Sequence, residues 1–179
     1  MISVEEALEK VLSYVEVLEP ERKPILDCLG QVLAEDVYST IDIPPLDNSA
    51  MDGYALRAKD TRGASESSPR YLVVVGEIAA GYIPTKEVRL GTAIRIMTGA
   101  PLPEGADAVV QFEDTDEVSC KSSRGDLSQI GILCQVKKGL NVRCRGEDIA
   151  QGDLILKKGT VLRPQEIGVL ASLGRSTAL

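Results

Sequence analysis

Short runs of apolar or β-branched residues, separated by stretches rich in Gly, Pro, Asp and Ser, fill the middle of this 179-residue sequence. Runs of this length between turn residues are typical of strands. They do not alternate with long helical patterns, and repeats of about 20 to 50 residues are absent, which argues against a doubly wound parallel sheet. The sequence therefore predicts a mostly β protein with a few helices, of the α+β class. The predicted strands are 37–39, 53–56, 71–78, 93–97, 108–112, 132–136, 140–145 and 154–156.

Helical patterns lie near the two ends of the chain. Ser3 and Glu6 have the spacing of a capping box, and apolar residues recur at helical spacing through 4–18. Pro164 occupies a plausible first helical position, and Gly174 a plausible C-cap position. The sequence thus predicts one helix that opens the chain and another close to its end.

The chain contains no histidine and no tryptophan. Histidine-ligated metal, a Ser-His-Asp triad and histidine acid–base chemistry are therefore excluded within this chain, and carboxylates, hydroxyls or amines must carry any catalysis. Four cysteines show neither C-x-x-C pairing nor zinc-ribbon spacing, so we interpret them as reduced, small hydrophobic residues of a cytoplasmic protein. They are Cys28, Cys120, Cys134 and Cys144.

The net charge of −7 is spread unevenly along the chain. Residues 1–60 carry 5 basic and 13 acidic groups, whereas residues 121–179 carry 10 basic and 5 acidic groups. An acidic total argues against non-specific nucleic-acid binding, while the basic C-terminal third leaves a local anion-binding patch open. The longest apolar runs are far shorter than the roughly 20 residues of a membrane helix. Neither a nucleic acid nor a membrane is a predicted partner.

Four short polar side chains crowd one turn at 44–55, which reads Pro-Pro-Leu-Asp-Asn-Ser-Ala-Met-Asp-Gly-Tyr-Ala. They are Asp47, Asn48, Ser49 and Asp52. Side chains of this kind commonly hydrogen-bond their own backbone, which is the structural interpretation of the turn. Two carboxylates and a hydroxyl beside an exposed loop also suit Mg²⁺, which takes one or two protein carboxylates and leaves its other positions to water and phosphate.

A second segment, 95–110, leads from an apolar strand into Thr98 and Gly99, and then into a proline-bracketed loop. Thr98 is therefore predicted at a strand end. Gly99 permits close approach of a backbone or ligand, and the threonine hydroxyl is placed to orient an oxyanion or a metal-bound water. A hairpin-like loop with a structural threonine fits the same spacing at least as well.

A third segment, 139–149, places Arg143 and Arg145 on one face of a predicted strand by period two. Paired arginines are able to grip phosphate or molybdate through two parallel hydrogen bonds. Ion pairing with the nearby Glu147 and Asp148 is the favoured interpretation, because most surface arginines are solvated or paired.

Taken in order, these segments resemble the N-terminal region of the MoeA-type molybdopterin molybdenumtransferases, relatives of the gephyrin E domain. The resemblance rests on Asp-Asn-Ser-Ala-Met-Asp-Gly-Tyr-Ala at 47–55 and on Arg-Ile-Met-Thr-Gly-Ala-Pro-Leu-Pro-Glu-Gly-Ala-Asp at 95–107. It covers nearly the whole chain, and each long motif is specific. Further matching motifs lie at 139–143, 146–149, 152–153 and 159–171.

The resemblance implies an elongated homodimer with a complex arrangement of bent β-sheets and one β domain inserted into another. By this resemblance the insert is 39–139, and 1–38 with 140–179 form the elongated dimerisation domain that carries the N-terminal helix. The family's pterin- and nucleotide-binding domain and its C-terminal β domain are absent from this sequence. Because the chain stops at 179 without a polar tail, we expect a further element to follow it.

The activity that the resemblance implies is insertion of molybdate into adenylylated molybdopterin, with release of AMP and with Mg²⁺ assisting. A MogA-type adenylyltransferase is the implied pathway partner. Asp52 and Thr98 match functional residues of the family, and the resemblance assigns Asp52 to Mg²⁺ or its bound water, and Thr98 to an oxyanion or molybdate. Asn48, Ser49 and Arg143 are weaker candidates for substrate binding. This sequence alone is expected to be inactive.

Two alternatives from other functional classes stay open beside this interpretation. One is a non-catalytic scaffold or dimerisation module of the gephyrin type, which the acidic surface would tolerate. The other is a β-rich carbohydrate- or peptide-binding domain, for which one phenylalanine and no tryptophan leave few aromatic platforms. The enzyme interpretation requires Asp52 and Thr98 to converge on one exposed wall of a cleft that a second subunit closes.

Overall fold

The chain is described by a computed structural model that covers residues 2–119 and 127–179. It comprises two compact units: unit 1 is Met1–Ser39 with Asp153–Leu179, and unit 2 is Thr40–Gly152. Unit 2 extends beyond the predicted insert of 39–139, because residues 140–152 pack within it. For example, the amide of Val109 donates to the carbonyl of Leu140. The dimerisation role of the flanking segments stays a prediction.

Short strands predominate, which confirms the predicted fold class. Among the elements that lie wholly within the described residues, the α-helices are α1 (Val4–Leu12) and α2 (Pro164–Ser172), and 3₁₀ turns lie at Ile25–Asp27, Ala58–Thr61 and Phe112–Asp114. Residues 117–119 are also helical. The strands are β1 (Lys23–Pro24), β2 (Val37–Tyr38), β3 (Asn48–Ser49), β4 (Gly53–Leu56), β5 (Arg70–Ile78), β6 (Thr92–Ile96), β7 (Ala108–Gln111), β8 (Gln129–Ile132), β9 (Val142–Arg143), β10 (Leu154–Leu156) and β11 (Thr177–Ala178).

A five-stranded sheet with the order β7-β4-β6-β5-β8 is the framework of unit 2. Its pairs are antiparallel except β5 with β6, which run parallel. In this arrangement the start of β4 and the ends of β5, β6 and β7 meet at one end of the sheet, as the pairing of Gly53 with Ile96 and Gln111 shows. The loops that leave these strand ends are therefore neighbours in space.

Both faces of the sheet are covered by buried apolar side chains. Successive residues of β4 point to opposite faces, so Tyr54 and Leu56 enter one core cluster and Ala55 enters the other. All four residues of β4 are buried. A strand that is buried on both sides needs a continuous apolar run rather than an alternating one, and this is the pattern at 53–56.

Two of the predicted strands have different bounds in the structure. The strand expected at 132–136 is β8 at Gln129–Ile132, because its partner β5 begins at Arg70, which lies opposite Ile132. The strand expected at 140–145 is shortened to β9, because β3 offers only two residues for pairing. In both cases the length of the partner strand, rather than local propensity, sets the limit.

Unit 1 is built from two small antiparallel pairs, β1 with β11 and β2 with β10, together with the helices. Its buried side chains include Leu33, Val37, Leu162 and Leu170. Helix α2 begins with Pro164, as predicted, and Gly174 follows it with a φ of 72°. A positive φ at this position is readily adopted by glycine and explains its place after the helix.

Helix α1 has the predicted capping box but ends at Leu12 rather than at 18. None of its residues is buried in the described part of the chain. An isolated short helix is only marginally stable without tertiary packing, which accounts for its early end. Among residues 2–119 and 127–179, the helices are too short to cross a membrane.

The described cysteines are free, as predicted, but they differ in burial. Cys28 is buried and Cys134 is half-buried, whereas Cys144 is exposed. The interpretation as small hydrophobic residues therefore suits Cys28 and is wrong for Cys144, which lies in a turn. Cys120 lies outside the described residues.

Candidate functional site

Asp52 and Thr98 lie side by side at the end of the unit 2 sheet. Asp52 directly precedes β4, and Thr98 follows β6, whose last residue Ile96 lies opposite Gly53. Glycine is required at position 53, since a Cβ atom there would lie 1.9 Å from the carbonyl oxygen of Val110. The close packing of three backbones thus fixes the point at which the Asp52 side chain leaves the sheet.

One carboxylate oxygen of Asp52 accepts two hydrogen bonds from Thr98. The Thr98 backbone N–H donates to Asp52 Oδ1 at 2.7 Å, and the Thr98 hydroxyl donates to the same oxygen at 2.8 Å. Both residues are exposed. The predicted convergence of these two side chains on one exposed wall of unit 2 is therefore found in the structure.

These hydrogen bonds favour the ionised form of the carboxyl group. They lower the pKa of Asp52, first through the backbone N–H and next through the hydroxyl of Thr98, and the charge of Arg95 adds to the effect, although partial burial opposes it. Within the described residues, the hydrogen bonds of this carboxylate engage Oδ1 only. Oδ2 of an ionised carboxylate thus faces the surroundings as an acceptor.

The hydroxyl proton of Thr98 is committed to Asp52, because an ionised carboxylate only accepts hydrogen bonds. The remaining lone pairs of Thr98 Oγ1 are acceptors. In this arrangement Thr98 suits a metal-bound water, which donates hydrogen bonds, better than an oxyanion, which accepts them. Of the two ligands expected from the sequence, the geometry favours the water.

Backbone hydrogen bonds tie the Thr98 loop to the neighbouring polar turn. Gly99 N–H donates to the carbonyl of Ser49 at 2.8 Å, and Ser49 N–H donates to the carbonyl of Ala100 at 3.0 Å. Leu102 N–H donates to the carbonyl of Asp47 at 2.9 Å. Gly99 has a φ of 79°, which glycine adopts without strain. The two loops therefore form one connected support for the Asp52–Thr98 pair.

Asn48 and Ser49 are part of this support. Both are buried, and Ser49 has no exposed surface. The Ser49 hydroxyl donates to the carbonyl of Met51 at 2.5 Å, and Asn48 Nδ2 donates to the carbonyl of Leu46 at 3.3 Å. Their side chains shape the turn, and a substrate contact by Ser49, which the resemblance suggested, would require it to become exposed.

Arg143 and Arg145 are held by separate ion pairs rather than in a joint anion clamp. Arg143 contacts Glu147 and Asp148, each at 2.6 Å, and these contacts raise the pKa of its guanidinium. Arg145 contacts Asp42 at 2.5 Å. The predicted ion pairing with Glu147 and Asp148 is confirmed for Arg143, whereas Arg145 lies in the turn after β9 and pairs with Asp42 instead. A substrate-binding role of Arg143 stays a prediction and would compete with its two carboxylate partners.

The donor set at Asp52 fits one particular kind of metal site. Among residues 2–119 and 127–179, no group of three or more potential Asp, Glu or Cys ligands is close enough to hold a metal ion. Asp47, the other carboxylate of the turn, accepts the backbone N–H of Arg145 at 2.7 Å. A single ionised carboxylate suits Mg²⁺ that takes its other ligands from water and phosphate, and does not suit a metal bound by protein groups alone.

A network below the pair was not predicted from the sequence. The Arg95 side chain, 15% exposed, contacts Glu77 at 2.6 Å and Glu117 at 3.2 Å. The Tyr54 hydroxyl donates to the other oxygen of Glu117 at 2.7 Å. The guanidinium carbon lies 4.6 Å from the centre of the Phe112 ring, a cation–π distance. The sequence contained one sign of this network, since Arg95 is a charged residue within the otherwise apolar predicted strand at 93–97.

Burial and charge act in opposite directions within this network. Burial works to lower the pKa of the Arg95 guanidinium, but hydrogen bonds and charges of Glu117 and Glu77 outweigh it and raise the pKa. Burial, followed by the bond to Glu117, raises the pKa of the Tyr54 hydroxyl far above its usual range. Arg95 therefore stays charged and Tyr54 stays neutral.

Comparison with known proteins finds that the chain is similar to molybdopterin molybdenumtransferases. It is 39% identical over 174 residues to molybdopterin molybdenumtransferase 2 of Mycobacterium tuberculosis, and 38% identical over 173 residues to the molybdopterin molybdenumtransferase of Staphylococcus aureus. These alignments include 97% of this chain and 41% and 39% of the two relatives. The chain therefore spans about two fifths of the length of these relatives.

A solved structure agrees with the sequence comparison. The molybdopterin biosynthesis moeA protein from Pyrococcus horikoshii OT3 superposes with a TM-score of 0.86 at 39% identity, and the match covers 97% of this chain and 44% of that one. The family described as MoeA N-terminal region (domain I and II) matches residues 2–174. The chain belongs to the MoeA N-terminal family.

Proposed function

We propose that this chain acts in molybdenum cofactor biosynthesis as part of a molybdopterin molybdenumtransferase, which inserts molybdate into adenylylated molybdopterin and releases AMP. The relatives named for this activity support the proposal. The observation that carries it is the exposed Asp52–Thr98 pair, in which an ionised carboxylate keeps one oxygen available. A fixed carboxylate of this kind suits an enzyme that acts on a phosphoanhydride, because it holds a metal ion or a water beside the phosphates.

In this proposal Asp52 holds Mg²⁺ or its bound water through Oδ2, and Thr98 fixes the orientation of the carboxylate. When bound with the nucleotide, Mg²⁺ supplies charge neutralisation of the phosphoanhydride. Thr98 Oγ1 accepts a hydrogen bond from a water at the same place. Asn48 and Ser49 hold the turn, and Arg143 is a secondary candidate for contact with the anionic substrate.

The remaining parts of the site belong to the rest of the protein. The curated relatives are more than twice as long as this chain, and we propose that their additional residues bind the pterin and the nucleotide. A second subunit of a homodimer completes the cleft, and a MogA-type adenylyltransferase supplies the substrate in the cytoplasm. The 179-residue chain by itself is expected to release no AMP.

Complementation with the full-length protein tests this proposal. Wild type should restore molybdoenzyme activity in a deficient host, and Asp52→Ala should lower the rate of AMP release by about 100-fold or more, the loss typical of a group that stabilises transition-state charge. Asp36→Ala is the matched control, since Asp36 is an exposed aspartate of unit 1 that also accepts a backbone N–H, from Lys158 at 2.8 Å.

The control should retain full activity. If Asp52→Ala restored the host as well as wild type did, the catalytic role of this site would be wrong. A non-catalytic scaffold or dimerisation role would then be the better explanation for the chain.

A further inference from the structure

We propose that Arg95 is a positioning residue for the Asp52–Thr98 pair. Its guanidinium forms ion pairs with Glu77 and Glu117 and covers the Phe112 ring. These contacts hold in place the strand ends next to which Asp52 and Thr98 lie. This inference rests on the proposed function for its catalytic meaning. The positioning itself is a property of this chain and is measurable without a substrate.

The first step of the argument is the placement of Arg95 in the sheet. It lies on β6 directly opposite Tyr54 of β4 and beside Glu77 of β5. Residues opposite each other on neighbouring strands project from the same face of a sheet. Arg95 thus stands in the middle of a polar row that crosses three strands close to the end where the site lies.

The second step is that Arg95 is connected to both members of the pair. Thr98 follows Arg95 by three residues and lies two residues beyond the end of β6, so the position of β6 determines where the Thr98 loop begins. On the other side, the Arg95 guanidinium covers the ring of Phe112, and the Phe112 N–H donates to the backbone carbonyl of Asp52 at 3.2 Å. A shift of Arg95 would therefore disturb Asp52 and Thr98 together.

The third step concerns the cost of this arrangement. Glu117 is 3% exposed, and within the described residues the buried Nε of Arg95 has no hydrogen-bond partner. Buried ion pairs are often no more stabilising than apolar residues of similar size, and an unpaired buried donor is unfavourable. Stability alone is therefore a weak reason for an arginine here, whereas fixing the geometry of an adjacent site is a sufficient one.

Charge supports the same conclusion. Among the described residues, the charged and titratable groups around Arg95 are Glu77 of β5, Glu117 beyond β7, Tyr54 of β4 and Asp52. The ion pairs with Glu77 and Glu117 hold the guanidinium in place, and they thereby fix the position of the positive charge that the Asp52 carboxylate faces.

Amide NMR spectra of the 179-residue chain test this inference. The readouts are hydrogen exchange of the Thr98 N–H and, as an internal reference in the same unit, hydrogen exchange of the Val109 N–H, which donates to the carbonyl of Leu140. In Arg95→Gln the Thr98 N–H should exchange about tenfold faster, as expected when a hydrogen bond to a charged group weakens. The exchange of the Val109 N–H should stay close to that of wild type, whereas a general loss of stability would accelerate both. Arg145→Gln, which alters an exposed arginine paired with Asp42, is the control and should leave both readouts unchanged.

Arg95→Lys covers the case in which Arg95→Gln does not fold. Lysine keeps the positive charge but loses the planar fork that reaches both carboxylates and covers the Phe112 ring. We expect the exchange of the Thr98 N–H to accelerate in this variant as well, while the exchange of the Val109 N–H stays near that of wild type. Wild-type exchange in a folded Arg95→Lys chain, or in a folded Arg95→Gln chain, would overturn the proposal.

The result of the Arg95 test can be distinguished from the result of the test of the proposed function. If full-length Asp52→Ala keeps its activity while the Arg95 variants loosen Thr98, the function is wrong and the positioning is right. If the Asp52 variant is inactive and the Arg95 variants leave Thr98 unaffected, the reverse holds.

Discussion

Two aspartates of unit 2, the exposed Asp52 and the half-buried Asp42, accept similar hydrogen bonds but differ in what their second oxygen contacts. Each accepts a backbone N–H on Oδ1, from Thr98 at 2.7 Å and from Gln151 at 2.8 Å respectively. In each case these backbone bonds are the largest cause of a lowered pKa. Asp42, however, also pairs its second oxygen with Arg145, whereas within the described residues the bonds of Asp52 are confined to one oxygen.

The comparison shows that a lowered pKa does not by itself identify a functional carboxylate. Both groups are ionised at neutral pH, but the two oxygens of Asp42 are engaged by Arg145 and by the backbone N–H of Gln151, which lie in two successive turns. Within residues 2–119 and 127–179, Asp52 receives its hydrogen bonds on one oxygen, and its other oxygen is available to a ligand. The two aspartates differ in where the backbone places the carboxylate relative to the strand ends. Substitutions that disturb the backbone beside each aspartate therefore test the difference.

The largest expected effect comes from the glycine that places Asp52. In Gly53→Ala the new Cβ atom would lie 1.9 Å from the carbonyl oxygen of Val110, and the obstacle is the backbone of the neighbouring strand β7 rather than a movable side chain. We expect a loss of about 3 kcal/mol or more in the free energy of unfolding, or failure to fold. Urea denaturation measures the loss.

The matched glycine beside Asp42 is the control for this prediction. Gly146 has a φ of 71°, and a Cβ atom there would lie 3.2 Å from Asp42 Oδ1, at the end of a side chain. Gly146→Ala should therefore cost only about 1 to 2 kcal/mol, the strain of the left-handed region. Equal losses for the two variants would show that the Val110 contact does not define the position of Asp52.

The placement of Asp52 and Thr98 beside strand ends was accessible from the sequence, because each adjoins an apolar run that meets a glycine-containing turn. Their convergence was predicted only through the resemblance to a known family, since the two residues lie 46 positions apart. The strand pattern at 53–56 and 93–97 was also close to the observed β4 and β6. Resemblance to a known family then added the functional meaning of the two residues. These features depend on local sequence, which a single chain displays directly.

Other features depend on pairing across long stretches of chain. Five strands have only two residues each, and such strands are defined by their partners rather than by propensity. The Arg95 network is similar, since Glu117 lies 22 residues and Tyr54 41 residues from Arg95 in sequence. The helical spacing of apolar residues also predicted too great a length for helix α1, because a row of apolar residues stabilises a helix only when another element packs against it.

The pH dependence of stability should be alike for the two aspartates, which is a smaller effect. Both folded-state pKa values lie below the ordinary 3.8, so each carboxylate contributes stability above that value, and the contribution is lost as the pH falls through the folded pKa. Asp52→Asn and Asp42→Asn should therefore be less stable than wild type at neutral pH and approach it in acid.

Urea denaturation at neutral pH and at successively lower pH values measures this. The functional difference between the two aspartates is supported if both variants lose stability in the same pH range while only Asp52→Asn lowers the activity of the full-length protein. A gap from wild type that stayed constant into acid would mean that the charged forms are not what the Thr98 and Gln151 amides stabilise.

The smallest effect is expected from the arginine that distinguishes Asp42 from Asp52. The Arg145 side chain is 61% exposed, so its pair with Asp42 is screened by solvent, and Asp42 keeps its bond from Gln151 when the arginine is removed. Arg145→Ala should shift Tm by no more than about 2 °C. It should also release Asp42 Oδ2, which makes Asp42 resemble Asp52 in its hydrogen bonds but not in its position at the sheet end. If Arg145→Ala destabilised the chain as strongly as a break in the buried Arg95 pair, solvent exposure would not be what separates the two arginines.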